Sequence, residues 1–124
     1  MFEAVPAFIP VLGRLLLGGA FVFAGLRNLG SMPFLTDALR ARGVPLASLV
    51  LMTGIAIQCV AGLLLILGLY SAFAALALIA FLIVATLIFH NFWDYQGEER
   101  VAHLNGVITN TALAGSFLLA LAIG

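Results

Sequence analysis

Four stretches of roughly 20 consecutive apolar residues, the length that carries an α-helix across a hydrocarbon core of about 30 Å, fill most of this chain. They run approximately from Ala7 to Leu29, Ala47 to Leu69, Ala72 to Phe92 and Val101 to Ile123. A backbone threaded through hydrocarbon has to satisfy its own N–H and C=O groups, so segments of this kind fold as helices. Composition agrees: with 65% hydrophobic and 8% charged residues over 124 positions, there is too little polar surface to coat a water-soluble globule. The fold class is therefore an all-α membrane protein, an antiparallel bundle of four transmembrane helices forming one domain over residues 1–124. The first stretch is expected to stay as a span rather than to be cleaved as a signal peptide. Its leading residues, "MFEAV", are acidic rather than basic, and its apolar run is too long.

The connections are unequal. Spans two and three are joined by little more than "LYSA", which makes them antiparallel neighbours. Residues 31–46, "SMPFLTDALRARGVPL", form a longer link that reads as a short interfacial helix between spans one and two. Met32, Phe34, Leu35 and Leu39 are placed on one face, with Asp37, Arg40 and Arg42 directed elsewhere and Gly43 with Pro45 as the stop. The segment is either an inert connector or a lid. Arg27, Arg40, Arg42 and Arg100 fall at the two connections on one side, so the positive-inside rule makes those connections cytoplasmic and both termini external. The chain has no lysine and a formal net charge of zero, so no basic stripe exists and nucleic acid is not expected as a partner.

Polar residues inside the spans concentrate in the half nearest the charged connections. Antiparallel traversal puts Arg27, Asn28, Thr53, Thr86, His90, Asn91, His103, Asn105, Thr109 and Asn110 there, with Gln58 near mid-depth and Arg14 toward the far side. Such groups are expensive in hydrocarbon and normally face the bundle interior, so a polar cluster drawn from all four helices is expected. Helical spacing supports inward orientation. Arg14, Gly18, Phe21, Gly25 and Asn28 follow a 4, 3, 4, 3 rhythm, as do Gly54, Gln58, Ala61, Leu65 and Gly68. His103, Gly106 and Asn110 share a face of the last span. The candidate ligand-binding residues are thus Arg14, Asn28, Gln58, His90, Asn91, Trp93 and Asn110, and no catalytic residue is assigned. Simple packing between helices accounts for the same spacing.

Several chemistries are disfavoured. A thiol relay needs cysteine pairs, and the chain has only Cys59, read as a packing residue. His90 and His103 are separated by 12 residues, without an HxxxH or CxxC pattern, so neither a metal nor a haem site is expected. Export coupled to an intramembrane carboxylate is disfavoured because all five acidic residues lie outside the apolar core.

The segments "RLLLGGAFVFAGLRNL" (Arg14 to Leu29), "IQCVAGLLLILGLYSAFAALAL" (Ile57 to Leu78), "FHNFW" (Phe89 to Trp93) and "ITNTALAGSFLL" (Ile108 to Leu119) together resemble the DoxX family of small four-helix bacterial membrane proteins. The resemblance implies a multi-pass protein of the bacterial inner membrane. It also implies an association with membrane redox chemistry, since members of the family include a subunit of thiosulfate:quinone oxidoreductase and membrane anchors of oxidative-stress complexes. This chain departs from the family pattern by losing charge: Asn28 stands where a lysine is common, Gln58 where a glutamate is common, and Thr109 where a lysine is common. An amide in place of a carboxylate keeps hydrogen-bonding capacity but cannot shuttle a proton.

Two functional readings remain open. In one, the polar residues bind the headgroup of a quinone or other lipophilic ligand, Trp93 or Phe92 stacks on it, and the chain, with no cofactor of its own, serves at most as a non-catalytic or quinone-binding subunit of a membrane oxidoreductase. In the other, the chain is a structural or anchoring subunit without a ligand. The partners expected in either case are membrane lipid and further copies of the chain or a larger membrane complex.

Overall fold

The computed structural model describes residues 6–90 and 95–123. Five helices follow one another: α1 (Phe8–Leu29), α2 (Met32–Ala41), α3 (Ala47–Leu67), α4 (Ser71–Phe89) and α5 (Gly97–Ile123), with no strand among the described residues. Four of them, all but α2, are long and apolar enough to cross a membrane. The fold is the antiparallel four-span bundle read from the sequence, with the expected short helix inserted after the first span.

Local chemistry sets the breaks. Pro33 sits in the first turn of α2, where its missing N–H would have had no helical partner. The α3–α4 turn is closed by Gly68, whose φ of 72° permits the left-handed cap in which Gly68 N–H donates to Leu65 O and Leu69 N–H donates to Leu64 O. Helix α5 begins at Gly97, four residues before the apolar run, because its first turn, "GEER", is polar. Glu98 and Glu99 there complement the positive end of the helix dipole.

The apolar outer surface is the part that hydrocarbon solvates. Phe8, Leu16, Phe23, Phe73 and Leu87 are all exposed, and a water-soluble protein could not sustain a belt of this extent. Inside, Phe21 of α1 meets Phe81 of α4 and Phe117 of α5 edge to face, at centroid distances of 6.2 and 5.3 Å. Small residues fill the remainder: Ala61, Ala74 and Ala75 are buried beside Leu65 and Leu78.

The inward seams lie where the spacing placed them except at Gly68, which is exposed in the α3–α4 turn. Gly18, Phe21 and Gly25 are buried on α1, as are Gln58, Ala61 and Leu65 on α3. The closest approach involves a residue one position off the predicted seam. A Cβ on Gly62 would stand 2.8 Å from Gly18 O and 3.0 Å from Val22 Cγ2, so α1 and α3 touch backbone to backbone.

Helices α1 and α3 are staggered. Asn28, one residue from the end of α1, meets Gln58, 11 residues into α3, so the first half of α3 projects beyond α1. Helix α2 packs against that projecting half, where Leu39 joins Ala47, Leu51 and Ile55 in a second apolar cluster supported by Met32 and Leu35. Phe34 does not share that face as expected. It is 75% exposed, because two residues beyond Met32 is a rotation of about 200°, and buried Thr36 takes the place on the inner face. Asp37 and Arg40 form an exposed 3.6 Å ion pair whose contribution to stability is small.

Candidate functional site

A cavity of about 590 Å³ lies between α2, α3 and α4. Its size falls in the range of small-ligand sites. Leu39 of α2, Leu51 and Ile55 of α3, and Phe81 and Ile88 of α4 form apolar walls. Across the rim, the Arg42 guanidinium lies 5.2 Å from the centre of the Phe89 ring, a cation–π contact that links the end of α2 to the end of α4.

Asn28 and Gln58 supply the polar part of the lining. Asn28 Nδ2 donates to Gln58 Oε1 at 3.0 Å, and Gln58 is 4% exposed. One hydrogen bond consumes one donor and one acceptor of the two amides, leaving Gln58 Nε2 as donor and Asn28 Oδ1 as acceptor. Among the described residues, the only enclosed side-chain polar atom without a partner is Arg14 Nε, so the spare amide groups are not sealed in packed protein. Thr53 also lines the cavity, but its hydroxyl donates to Leu49 O of its own helix at 2.9 Å. The lining carries no ionisable side chain.

The other polar residues do not converge on this point. Helix pairing divides the expected single cluster into separate groups. Asn110 Nδ2 donates to Thr86 Oγ1 at 2.9 Å, and His90 Nδ1 faces His103 Nδ1 at 3.3 Å; both contacts join α4 to α5. Arg14 lies 14 residues before Asn28, about 21 Å along α1, with its guanidinium against Gly68 at the carboxyl end of α3. Thr53, Asn105 and Thr109 are exposed and take no part in an interhelical group. Arg27 is exposed while its neighbour Asn28 is half-buried, as the 100° rotation between them requires. Asn91, Phe92 and Trp93 lie outside the described residues.

Gly62 and the apolar walls were not singled out by sequence reasoning. For Gly62 a signal existed, since it lies four residues after Gln58 and so on the same side of α3.

The pattern that defines the DoxX family matches residues 9–91, which spans α1 to α4 and includes every residue of the cavity lining. The chain is also similar to the inner membrane protein YphA of Escherichia coli strain K12, at 21% identity over 118 residues covering 95% of this chain and 84% of that protein. No solved structure matches.

Proposed function

The chain belongs to the DoxX family of integral membrane proteins, and from that premise we propose that it binds a neutral lipophilic ligand, a quinone, in the cavity between α2, α3 and α4. The observation that carries the reading is a buried glutamine amide, its nitrogen left unpaired by the bond from Asn28, in the lining of a mainly apolar cavity. Gln58 Nε2 donates to a quinone carbonyl, and Asn28 Oδ1 accepts from a hydroquinone hydroxyl, so the pair accommodates both redox forms. A lining without charge favours a neutral headgroup, because a charged one would be desolvated without a counterion. The exposed rim residues Leu46, Leu49 and Val84 give an isoprenoid tail a continuous apolar path to the surrounding lipid. Binding and orienting the headgroup is the role of this chain, and electron transfer to or from it belongs to a partner in a membrane complex.

The test is to fill the cavity without touching the amides. Ala85→Phe places a ring into the space lined by Ala85, Ile88 and Leu51. It should leave the melting temperature in detergent nearly unchanged while reducing quinone extracted with the purified protein at least about tenfold. Equal quinone in both proteins, or quinone in neither after purification in quinone-supplemented detergent, would discard the cavity as the binding site.

We further propose that the α2 region and the polar start of α5 face the cytoplasm, on the arginine distribution. Cysteines at Arg40 and Glu98, both exposed, in a background with Cys59→Ala should resist a membrane-impermeant maleimide in intact cells and react in inverted vesicles. Labelling in intact cells would reverse the orientation.

A further inference from the structure

The α4–α5 hairpin carries an arrangement that the cavity does not use. His90 caps α4, His103 lies in the second turn of α5, and their Nδ1 atoms stand 3.3 Å apart with the rings tilted by 59°. Both rings are held in place. Gly106, one turn beyond His103, leaves room for the His90 ring, since a Cβ there would stand 2.5 Å from both its Cε1 and its Nδ1. Tyr95 stacks on the His103 ring, with centroids 4.4 Å apart and planes 26° from parallel. The Thr86–Asn110 hydrogen bond joins the same two helices one turn deeper and helps fix their register.

The separation of the two nitrogens has a chemical meaning. Ligands on one tetrahedral zinc ion, at metal–nitrogen distances of about 2.0–2.1 Å, are about 3.3–3.4 Å apart, whereas adjacent ligands at right angles are only about 2.9 Å apart. We propose that His90 and His103 form a two-histidine chelate for a divalent transition-metal ion of the zinc class. Without the ion, the contact is a hydrogen bond in which one Nδ1–H donates to the other Nδ1. On binding, the donor ring carries its proton on Nε2 instead, so the neutral pair gains two metal–nitrogen bonds without net proton release. Among the described residues no third histidine, cysteine or acidic side chain joins the pair. It shares no residue with the cavity lining, so its test is independent of the quinone proposal.

The test uses the full chain, purified without an affinity tag, washed with chelator and titrated in detergent with Co²⁺. The expected result is one equivalent of Co²⁺ per chain with the intense visible bands of tetrahedral coordination, abolished by Zn²⁺. His90→Phe and His103→Phe should each lower affinity by no less than the roughly 10- to 100-fold that loss of an outer-shell partner costs. Gly106→Ala, which retains both imidazoles but drives a methyl group against His90 Nδ1, should also weaken binding. If a histidine variant does not fold, protection of the wild-type histidines from diethyl pyrocarbonate by Zn²⁺ decides the same question, and modification at an unchanged rate counts against the site. A Co²⁺ spectrum identical to that of the ion in buffer, or uptake unchanged in the double histidine variant, would reduce the pair to an interhelical hydrogen bond.

Discussion

Gly62→Leu is expected to leave little folded protein in mild detergent, whereas Gly19→Ala and Gly13→Ala are expected to melt at or slightly above the wild-type temperature. The difference lies in what each new Cβ meets. At Gly13 and Gly19 nothing lies within 4 Å, so alanine adds only helix propensity, worth up to about 1 kcal/mol. At Gly62 the obstacle at 2.8 Å is the carbonyl oxygen of Gly18, and a backbone atom cannot rotate away as a side chain does. Gly62→Ala should already cost about 1–3 kcal/mol by overpacking. Leucine forces α1 away from α3 altogether. Helices in a membrane are held by close packing rather than by a hydrophobic difference between protein and lipid, so this widening removes the interaction that joins them. A wild-type melting curve and elution profile for Gly62→Leu would show that the Gly18–Gly62 contact is not what holds α1 to α3.

The same contact shows how far the sequence could be read. A 4, 3, 4, 3 rhythm identifies which face of a helix turns inward, and it placed Gly18, Phe21, Gly25, Gln58, Ala61 and Leu65 correctly inside. It does not say which helix that face meets. The polar residues consequently looked like one group when grouped by depth, and they became separate groups once α1 packed on α3 and α4 on α5. The stagger that brings Asn28 to Gln58 was equally hidden, because it depends on where two backbones can approach and hence on Gly18 and Gly62 together. Phe34 departs from the expected face for a simpler reason: in a 10-residue helix the 100° step per residue, not the apolar character of a side chain, decides which residues turn inward. The His90–His103 contact joins residues on either side of the α4–α5 connection, a proximity that no short ligand motif announces.

Gln58→Leu separates a binding role from a structural one. Leucine has similar bulk, so it removes the acceptor for Asn28 and the spare donor without opening a large void. If the amide pair serves a quinone, the variant should keep most of its thermal stability, since single interhelical hydrogen bonds in membranes contribute on average about 0.6 kcal/mol. Its quinone content should nevertheless fall about five- to thirtyfold, the equivalent of losing one polar contact worth about 1–2 kcal/mol in an apolar site. If the pair only ties α1 to α3, stability should fall first, because Asn28 is left half-buried without its partner, and Asn28→Leu combined with Gln58→Leu should recover part of the loss. Gln58→Glu adds a third arm by restoring the carboxyl group that the resemblance associates with this position. A carboxyl group there still accepts from Asn28 Nδ2, but it donates to a quinone carbonyl only when protonated, a state that burial in an apolar cavity favours. Quinone retention in Gln58→Glu should therefore hold at acidic pH and decline as the carboxyl group ionises, while retention in the wild-type protein stays flat over the same range. Matching pH profiles for the two proteins, together with unchanged quinone in Gln58→Leu, would assign the Asn28–Gln58 pair to helix packing alone.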